Sequence, residues 1–135
     1  MTIETYRKLS DLPETIPVFP LTGVLLFPRW SLPLNIFEPR YLNMIDDAMR
    51  GDRLIGMIQS QGGDRTTPEL ATAGCAGRIT SYSETDDGRY LISLTGICRF
   101  GVHEELTVET PYRQVRPDWQ LFGTDLIAPQ GPALP

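Results

Sequence analysis

The stretch that decides the fold runs from residue 16 to residue 41 and reads IPVFPLTGVLLFPRWSLPLNIFEPRY. Short apolar groups alternate in it with prolines, which stand at positions 17, 20, 28, 33 and 39. Each proline fixes its own φ, lacks a backbone N–H donor and pushes the preceding residue towards an extended conformation. The stretch therefore predicts short strands at the edges and corners of a sheet rather than a central strand, followed by the start of a helix.

The clearest predicted element is one principal helix over about residues 39–50. Proline suits the first helical position, where no donor is needed, and Glu38 lies at the positive end of the helix dipole. Gly51 predicts the end of the helix in a left-handed conformation. The spacing i, i+3, i+4, i+7, i+8 predicts one apolar face that is made of Tyr41, Met44, Ile45, Ala48 and Met49.

The rest of the chain up to residue 118 predicts short strands, so that the fold class is α+β and mainly β. Residues 85–88 predict a hairpin turn; a four-residue loop would place Ile79 opposite Leu94 and Thr80 opposite Ser93, pairing apolar with apolar side chains. The predicted strands span 16–21, 32–37, 54–58, 77–84, 90–98, 99–108 and 112–115.

Three segments lack any period that would bury a face. Residues 1–14 predict a polar, frayed lead-in, and residues 59–72 predict a surface loop. Residues 119–135 are rich in proline and glycine, which predicts a tail or linker. The predicted domain therefore spans residues 1–118.

Composition narrows the class of protein. A chain of 135 residues with 41% hydrophobic residues can bury the core of one domain, and 12 glycines with 12 prolines favour a β-rich fold. The formal net charge is −5, which disfavours a nucleic-acid partner because phosphates would be repelled. No apolar run is long enough to predict a membrane span or a secretory signal, and two cysteines in such a chain predict reduced thiols and a cytoplasmic location.

No catalytic constellation is visible. There is no phosphate-binding loop, and the single lysine (Lys8) and single histidine (His103) offer little to activate a nucleophile. The sequence therefore predicts no catalytic, cofactor-binding or metal-binding residues. Cys75 and Cys98 would face each other across the hairpin; they form either a regulatory disulfide or, as we favour, two small buried side chains.

Trp30 has two interpretations. It lies in a proline-bounded loop, where an exposed aromatic side chain could anchor a bound peptide together with Phe27 and Pro28. It could equally cover the core, which is the interpretation that the sequence alone favours. Phe27, Pro28 and Trp30 are nevertheless the predicted peptide-binding residues.

Several motifs, in the right order over residues 14–118, resemble the N-terminal substrate-binding domain of the Lon proteases. Two departures occur: Asn35 replaces a commoner His, and Arg29-Trp30 replaces a pair that begins with Gly. The motifs are IPVFPL (16–21), LFP (26–28), LPLNIFEPRY (32–41), GCAGRI (74–79), DGRY (87–90) and LTGICRF (94–100).

The resemblance implies a PUA-like, six-stranded pseudobarrel and a stand-alone bacterial protein of this type. In Lon proteases this domain contacts protein substrates, whereas ATP hydrolysis and peptide cleavage lie in later domains that these 135 residues do not contain. The expected function is thus non-enzymatic binding of a protein or unfolded peptide. An RNA-binding module is the alternative, since PUA-like barrels can bind RNA, and an unrecognised hydrolase is the third. The end of the chain would lead towards a helical bundle, whose docking patch is expected to allow self-association.

Overall fold

The structure is a computed structural model that describes residues 8–63 and 68–126. Within that part of the chain, six strands and one α-helix confirm the predicted fold class of α+β, mainly β, with one principal helix. The elements are a 3-10 turn Leu9–Asp11, β1 Ile16–Pro20, β2 Ser31–Ile36, α1 Pro39–Arg50, β3 Leu54–Gly63, β4 Pro68–Glu84, β5 Tyr90–Glu105, β6 Gln114–Asp118 and a C-terminal 3-10 segment Gln120–Leu126.

The six strands form one sheet in the order β2-β5-β4-β3-β1-β6, and β6 pairs in addition with β5. Along one edge, β5 pairs first with β2 through residues 90–95 and then with β6 from Gly101 onwards. The sheet therefore closes into a ring of five strands, and β2 is left at its free edge.

The position of β1 differs from the prediction, because this strand lies between β3 and β6 and not at an edge. Ile16 and Pro17 pair with β6, whereas the residues from Val18 to Pro20 pair with β3 in parallel. The two ladders meet only at Val18, which pairs with Gly56 of β3 while its amide donates to the Arg113 carbonyl on the β6 side at 3.0 Å. Because the two ladders are offset along the strand, two prolines are compatible with an interior position.

β2 is the edge strand that its proline predicts. Gly96 of β5 donates to the Trp30 carbonyl just before β2, and the pairing places Leu32 opposite Leu94 and Pro33 opposite Ser93. In an antiparallel ladder every second residue bonds to the partner. The nitrogen of Pro33 therefore lies on the open side of β2, where no donor is required.

The helix buries the predicted stripe. Tyr41, Met44, Ile45 and Ala48 are buried, while Met49 is only partly so. These side chains join a cluster of buried residues that includes Phe19, Ile55 and Leu94 of the sheet. A second cluster is centred on Phe100 and Trp119.

The helix ends at Arg50 as predicted, but the left-handed conformation of Gly51 and the loop after β3 were predicted wrongly. Gly51 has a φ of −117°, and the left-handed residue is Arg53, with a φ of 61°. The amides of both residues donate to the Ala48 carbonyl, at 3.1 and 2.9 Å, so that the left-handed turn falls two residues later. β3 and β4 also extend into the segment 59–72; residues 64–67 lie outside the described part of the chain.

The β4–β5 hairpin follows the predicted register in part. Ile79 lies opposite Leu94 as predicted, but Ser81 and not Thr80 lies opposite Ser93. The loop has five residues rather than four, which shifts the pairing next to the loop by one residue. A bulge at Thr80 cancels this shift and restores the predicted pairing of Ile79. A second shift lies between Ala76 and Gly77, so that Cys75 pairs with Arg99 and not with Cys98.

Both ends of the described chain pack more firmly than the sequence predicts. Leu12 of the presumed lead-in is buried, and the Trp119 indole N–H donates to the Pro13 carbonyl at 2.9 Å. The presumed tail forms the C-terminal 3-10 segment as far as Leu126, and Phe122 and Leu126 pack against the Phe100 cluster. Residues 1–7 and 127–135 lie outside the described part of the chain.

We expect Ile45→Ala to lower the free energy of unfolding by about 2–4 kcal/mol, because this fully buried side chain would leave a cavity between α1 and the sheet. Urea denaturation followed by circular dichroism measures the loss. Arg50→Ala on the exposed side of the same helix is the control, with an expected change below about 0.5 kcal/mol. Equal losses in the two variants would contradict the assigned helix face.

Candidate functional site

The residues from Phe27 to Trp30 form a tight turn, which we call the aromatic turn. The Trp30 amide donates to the Phe27 carbonyl at 3.0 Å, and Arg29 has a φ of 70°. Proline at the second position and a positive φ at the third are features of a type II turn. Glycine is usual at the third position of such a turn, and the Lon motif has glycine at the position of Arg29. Arg29 therefore adopts a backbone conformation that its side chain disfavours.

The aromatic turn is bonded directly to β5. Arg29 donates to the Gly96 carbonyl at 2.8 Å, and Gly96 donates to the Trp30 carbonyl at 2.9 Å. A Cβ atom at position 96 would lie 2.0 Å from the Phe27 carbonyl oxygen. Because such an approach excludes any side chain, the residue at this position must be glycine for the turn to lie where it does.

The chain before the turn is fixed to β3. Leu21 donates to the Ile58 carbonyl at 3.0 Å, and the Gly23 amide donates to the side-chain oxygen of Gln59 at 3.0 Å. The amide group of Gln59 also donates to the Val24 carbonyl. With Leu26 buried in addition, the loop is held at both ends, so that the aromatic turn is preorganised.

This geometry exposes the two aromatic rings. Trp30 is 61% exposed and Phe27 is 37% exposed, and their rings pack edge to face with centroids 4.8 Å apart. The interpretation that Trp30 covers the core is therefore wrong. The structure brings Phe27, Pro28 and Trp30 together in one turn; exposed Leu25 lies just before them and was missed, because residues 24–27 look like one continuous apolar run.

A shallow groove of about 490 Å³ lies elsewhere, on the outer face of β2, β5 and β4. Its exposed apolar side chains are Tyr82 and Leu91, and three serines line the rest together with Pro33 and Asn35. The groove thus offers fewer exposed aromatic atoms than the aromatic turn and no tightly bonded loop.

Cys75 and Cys98 are free and buried. Burial, which disfavours the thiolate, raises the pKa of each thiol to about 12. Their interpretation as small buried side chains is confirmed, and neither thiol suits a nucleophile at neutral pH. His103 is exposed on β5, as expected for a strand-surface residue.

Residues 8–63 and 68–126 contain neither a metal-site cluster nor a membrane-spanning helix. No group of three or more His, Cys, Asp or Glu side chains there is arranged to hold a metal ion. Within the same ranges, no helix has the length and apolar character to cross a membrane.

The fold defines a class of β-rich domain with a ring of strands and one principal helix, and comparison with known proteins gives the family. Residues 15–120 match the sequence model of the ATP-dependent protease La (LON) substrate-binding domain. The chain therefore belongs to the Lon substrate-binding domain family.

Two curated relatives support this membership. Lon protease 2 of Myxococcus xanthus is 32% identical over 112 residues, which are 81% of this chain and 13% of that protein. Lon protease of Desulfosudis oleivorans is 34% identical over 94 residues, which are 67% of this chain and 12% of that protein. The chain thus spans about an eighth of the length of these relatives.

Solved structures share the fold. A crystal structure of a Lon N-terminal domain protein from Xanthomonas campestris has a TM-score of 0.63 and 28% sequence identity, covering 78% of this chain and 59% of that chain. The N-terminal domain of a Mycobacterium avium complex Lon protease has a TM-score of 0.61 at 15% identity, covering 89% and 57%. The second likeness concerns the fold alone.

We expect Gly96→Ala to lower the free energy of unfolding by about 1–3 kcal/mol, because the new methyl group would collide with the Phe27 carbonyl. Thermal unfolding measures the loss, and the fluorescence of the protein reports the displaced Trp30. Gly123→Ala is the matched control, since its Cβ would meet only Leu9 side-chain carbons at 3.6 Å or more. A Gly96→Ala protein as stable as this control would contradict the close approach.

We expect both thiols of the folded protein to react with a disulfide reagent at pH 8 at least about a hundredfold more slowly than in urea, because burial holds their pKa near 12. Absorbance of the released thiolate gives the rates, and the urea sample must titrate two thiols. A thiol that reacts at the unfolded rate without denaturant would contradict the assigned burial.

Proposed function

We propose that this domain is a non-enzymatic module that binds proteins or unfolded peptides through the aromatic turn. The observation that carries the proposal is the exposure of Phe27 and Trp30 on a loop that is bonded to both β3 and β5. Removing aromatic surface from water favours association, and tryptophan is enriched among the residues that dominate binding energies. A turn that is already ordered loses little entropy on binding.

The family description supports polypeptide as the substrate class. It names a substrate-binding domain, and the curated relatives are proteases, whose substrates are polypeptides. In this proposal Pro28 and exposed Leu25 widen the apolar contact around the two rings. The free thiols suit a reducing compartment, which accords with the proposed cytoplasmic location.

RNA binding is the less supported alternative. The net charge of −5 repels a phosphate backbone. The aromatic turn exposes Phe27 and Trp30, and Arg29 is its single basic residue. Self-association through the apolar patch on which a helical bundle would dock is a secondary proposal.

We expect Trp30→Ala to weaken binding of reduced, carboxymethylated lactalbumin, a permanently unfolded probe, by at least about tenfold. Fluorescence anisotropy of the labelled probe measures the dissociation constant. Phe37→Ala is the matched control, because Phe37 is an aromatic residue 63% exposed, close to the 61% of Trp30, but lies outside the turn. Its expected effect is below about twofold.

The same preparations distinguish the other functions. Equal weakening by Trp30→Ala and Phe37→Ala would contradict the assigned site, and tighter binding of labelled oligouridine than of the unfolded probe would favour the RNA alternative. ATP hydrolysis or casein cleavage that co-purifies with the domain and vanishes on a single substitution would overturn the non-enzymatic assignment.

A further inference from the structure

One edge of β5 has a gap between its two partner strands. β2 pairs with β5 as far as Thr95, and β6 begins to pair at Gly101. The backbone N–H and C=O of Gly96 are already bonded to the aromatic turn. Further along the gap, the Arg99 amide donates to the Oδ2 atom of Asp125 at 2.9 Å. A carboxylate thus takes the place that a strand carbonyl would have.

Arg99 fixes this carboxylate with its side chain as well. Its Nε atom donates to Oδ2 of Asp125 at 3.0 Å, and its Nη2 atom donates to Oδ1 at 2.9 Å. This bidentate geometry is the strongest form of the Arg–carboxylate pair. The Asp125 side chain is only 8% exposed. Burial alone would raise the pKa of Asp125, but the hydrogen bonds from Arg99 outweigh it and hold that pKa below its usual value.

An aromatic residue completes the contact. The Phe122 ring lies under the Arg99 guanidinium, with 4.7 Å between Cζ and the ring centroid, and Cys98 Sγ donates to the Phe122 carbonyl at 3.5 Å. A Cβ at position 101 would lie 2.7 Å from Leu121 Cδ1, so that Gly101 leaves the room in which the segment lies. The contact therefore recognises an aromatic ring and, three positions later, a carboxylate.

The C-terminal 3-10 segment is seated on the sheet and is not part of it. No residue of the segment is buried as a whole, although the Asp125 side chain is covered, and none pairs with a strand. The ring of strands is already closed by the pairing of Gly101 with Asp118, before the segment begins. The barrel strands can therefore keep all their ladders when the segment leaves, whereas Arg99 would lose the partner of both its amide and its guanidinium.

We propose that the gap in β5 around Arg99 is a second polypeptide-binding site, which takes a segment of a partner protein with an aromatic residue followed three positions later by an acidic one. In this structure the chain's own Phe122 and Asp125 fill the site. A tethered segment has an effective concentration of about millimolar, so that a partner segment binds when the internal one is released or outcompeted.

The test uses the full chain and a fluorescein-labelled peptide of residues 119–126, WQLFGTDL. Asp125→Asn in the protein weakens the internal segment but keeps Arg99, and it is expected to bind the peptide at least about tenfold more tightly than the unsubstituted protein does. Phe122→Ala in the protein is a second release variant with the same expected result. Glu104→Gln is the matched control, since it breaks the β5–β6 ion pair with Arg116 and should bind as the unsubstituted protein does.

Two further measurements decide the outcome. Peptides that carry Asn for the acidic residue or Ala for the phenylalanine should bind the Asp125→Asn protein at least about tenfold more weakly. Hydrogen exchange of residues 120–126 should accelerate in that protein while β3 and β4 keep their rates. Equal acceleration in all strands, or failure of both release variants to bind the peptide selectively, would overturn the proposal. A concentration-dependent dimer of the unsubstituted protein in light scattering would overturn the partner assignment, because the segment of a second copy, with its Asp125 intact, would then be the occupant.

Discussion

The pairing of β5 is the constraint on which the rest of the structure depends. A single edge of this strand must serve β2 at one end and β6 at the other, because only the second pairing closes the ring. Two different strands cannot share an edge without a break between them. The backbone groups in the break still need partners, since a buried, unpaired amide costs roughly 1–3 kcal/mol. A loop turn at Gly96 and a carboxylate at Arg99 supply them.

This solution explains why the exposed aromatic rings are so firmly placed. The turn that carries Phe27 and Trp30 is the piece of chain that completes the β5 edge, so that its backbone cannot relax without breaking bonds to Gly96. The rings gain exposure from the same bonds, since the backbone faces β5 and the side chains face away. The exposed surface of Phe27 and Trp30 thus follows from the way in which the turn completes the edge of β5.

The sequence predicts what is decided locally. The helical stripe and the edge position of β2 depend on spacing and on a single proline, and both are found where expected. The interior position of β1 was missed because a proline removes one hydrogen-bond donor on one side of a strand only. Nothing in the local sequence shows that the two ladders of β1 are offset, so that neither proline lacks a required bond.

The site was harder to predict for a related reason. Phe27, Pro28 and Trp30 were predicted as binding residues from their place in a proline-bounded loop. The exposure of Trp30 depends on a left-handed Arg29, where the usual glycine signal is missing. The packed segment after Trp119 depends on Arg99, more than twenty residues earlier in the chain. Contacts over such distances leave no periodic trace in the sequence.

Pro33 has a consequence for colloidal behaviour. A free sheet edge beside two exposed aromatic rings would ordinarily be a template for edge-to-edge aggregation. The ring nitrogen of Pro33 stands in the middle of that edge, so that two copies of β2 aligned antiparallel about this residue would face each other with a missing donor on both sides. The backbone beside the exposed aromatic rings is therefore a poor seed for amyloid-like stacking.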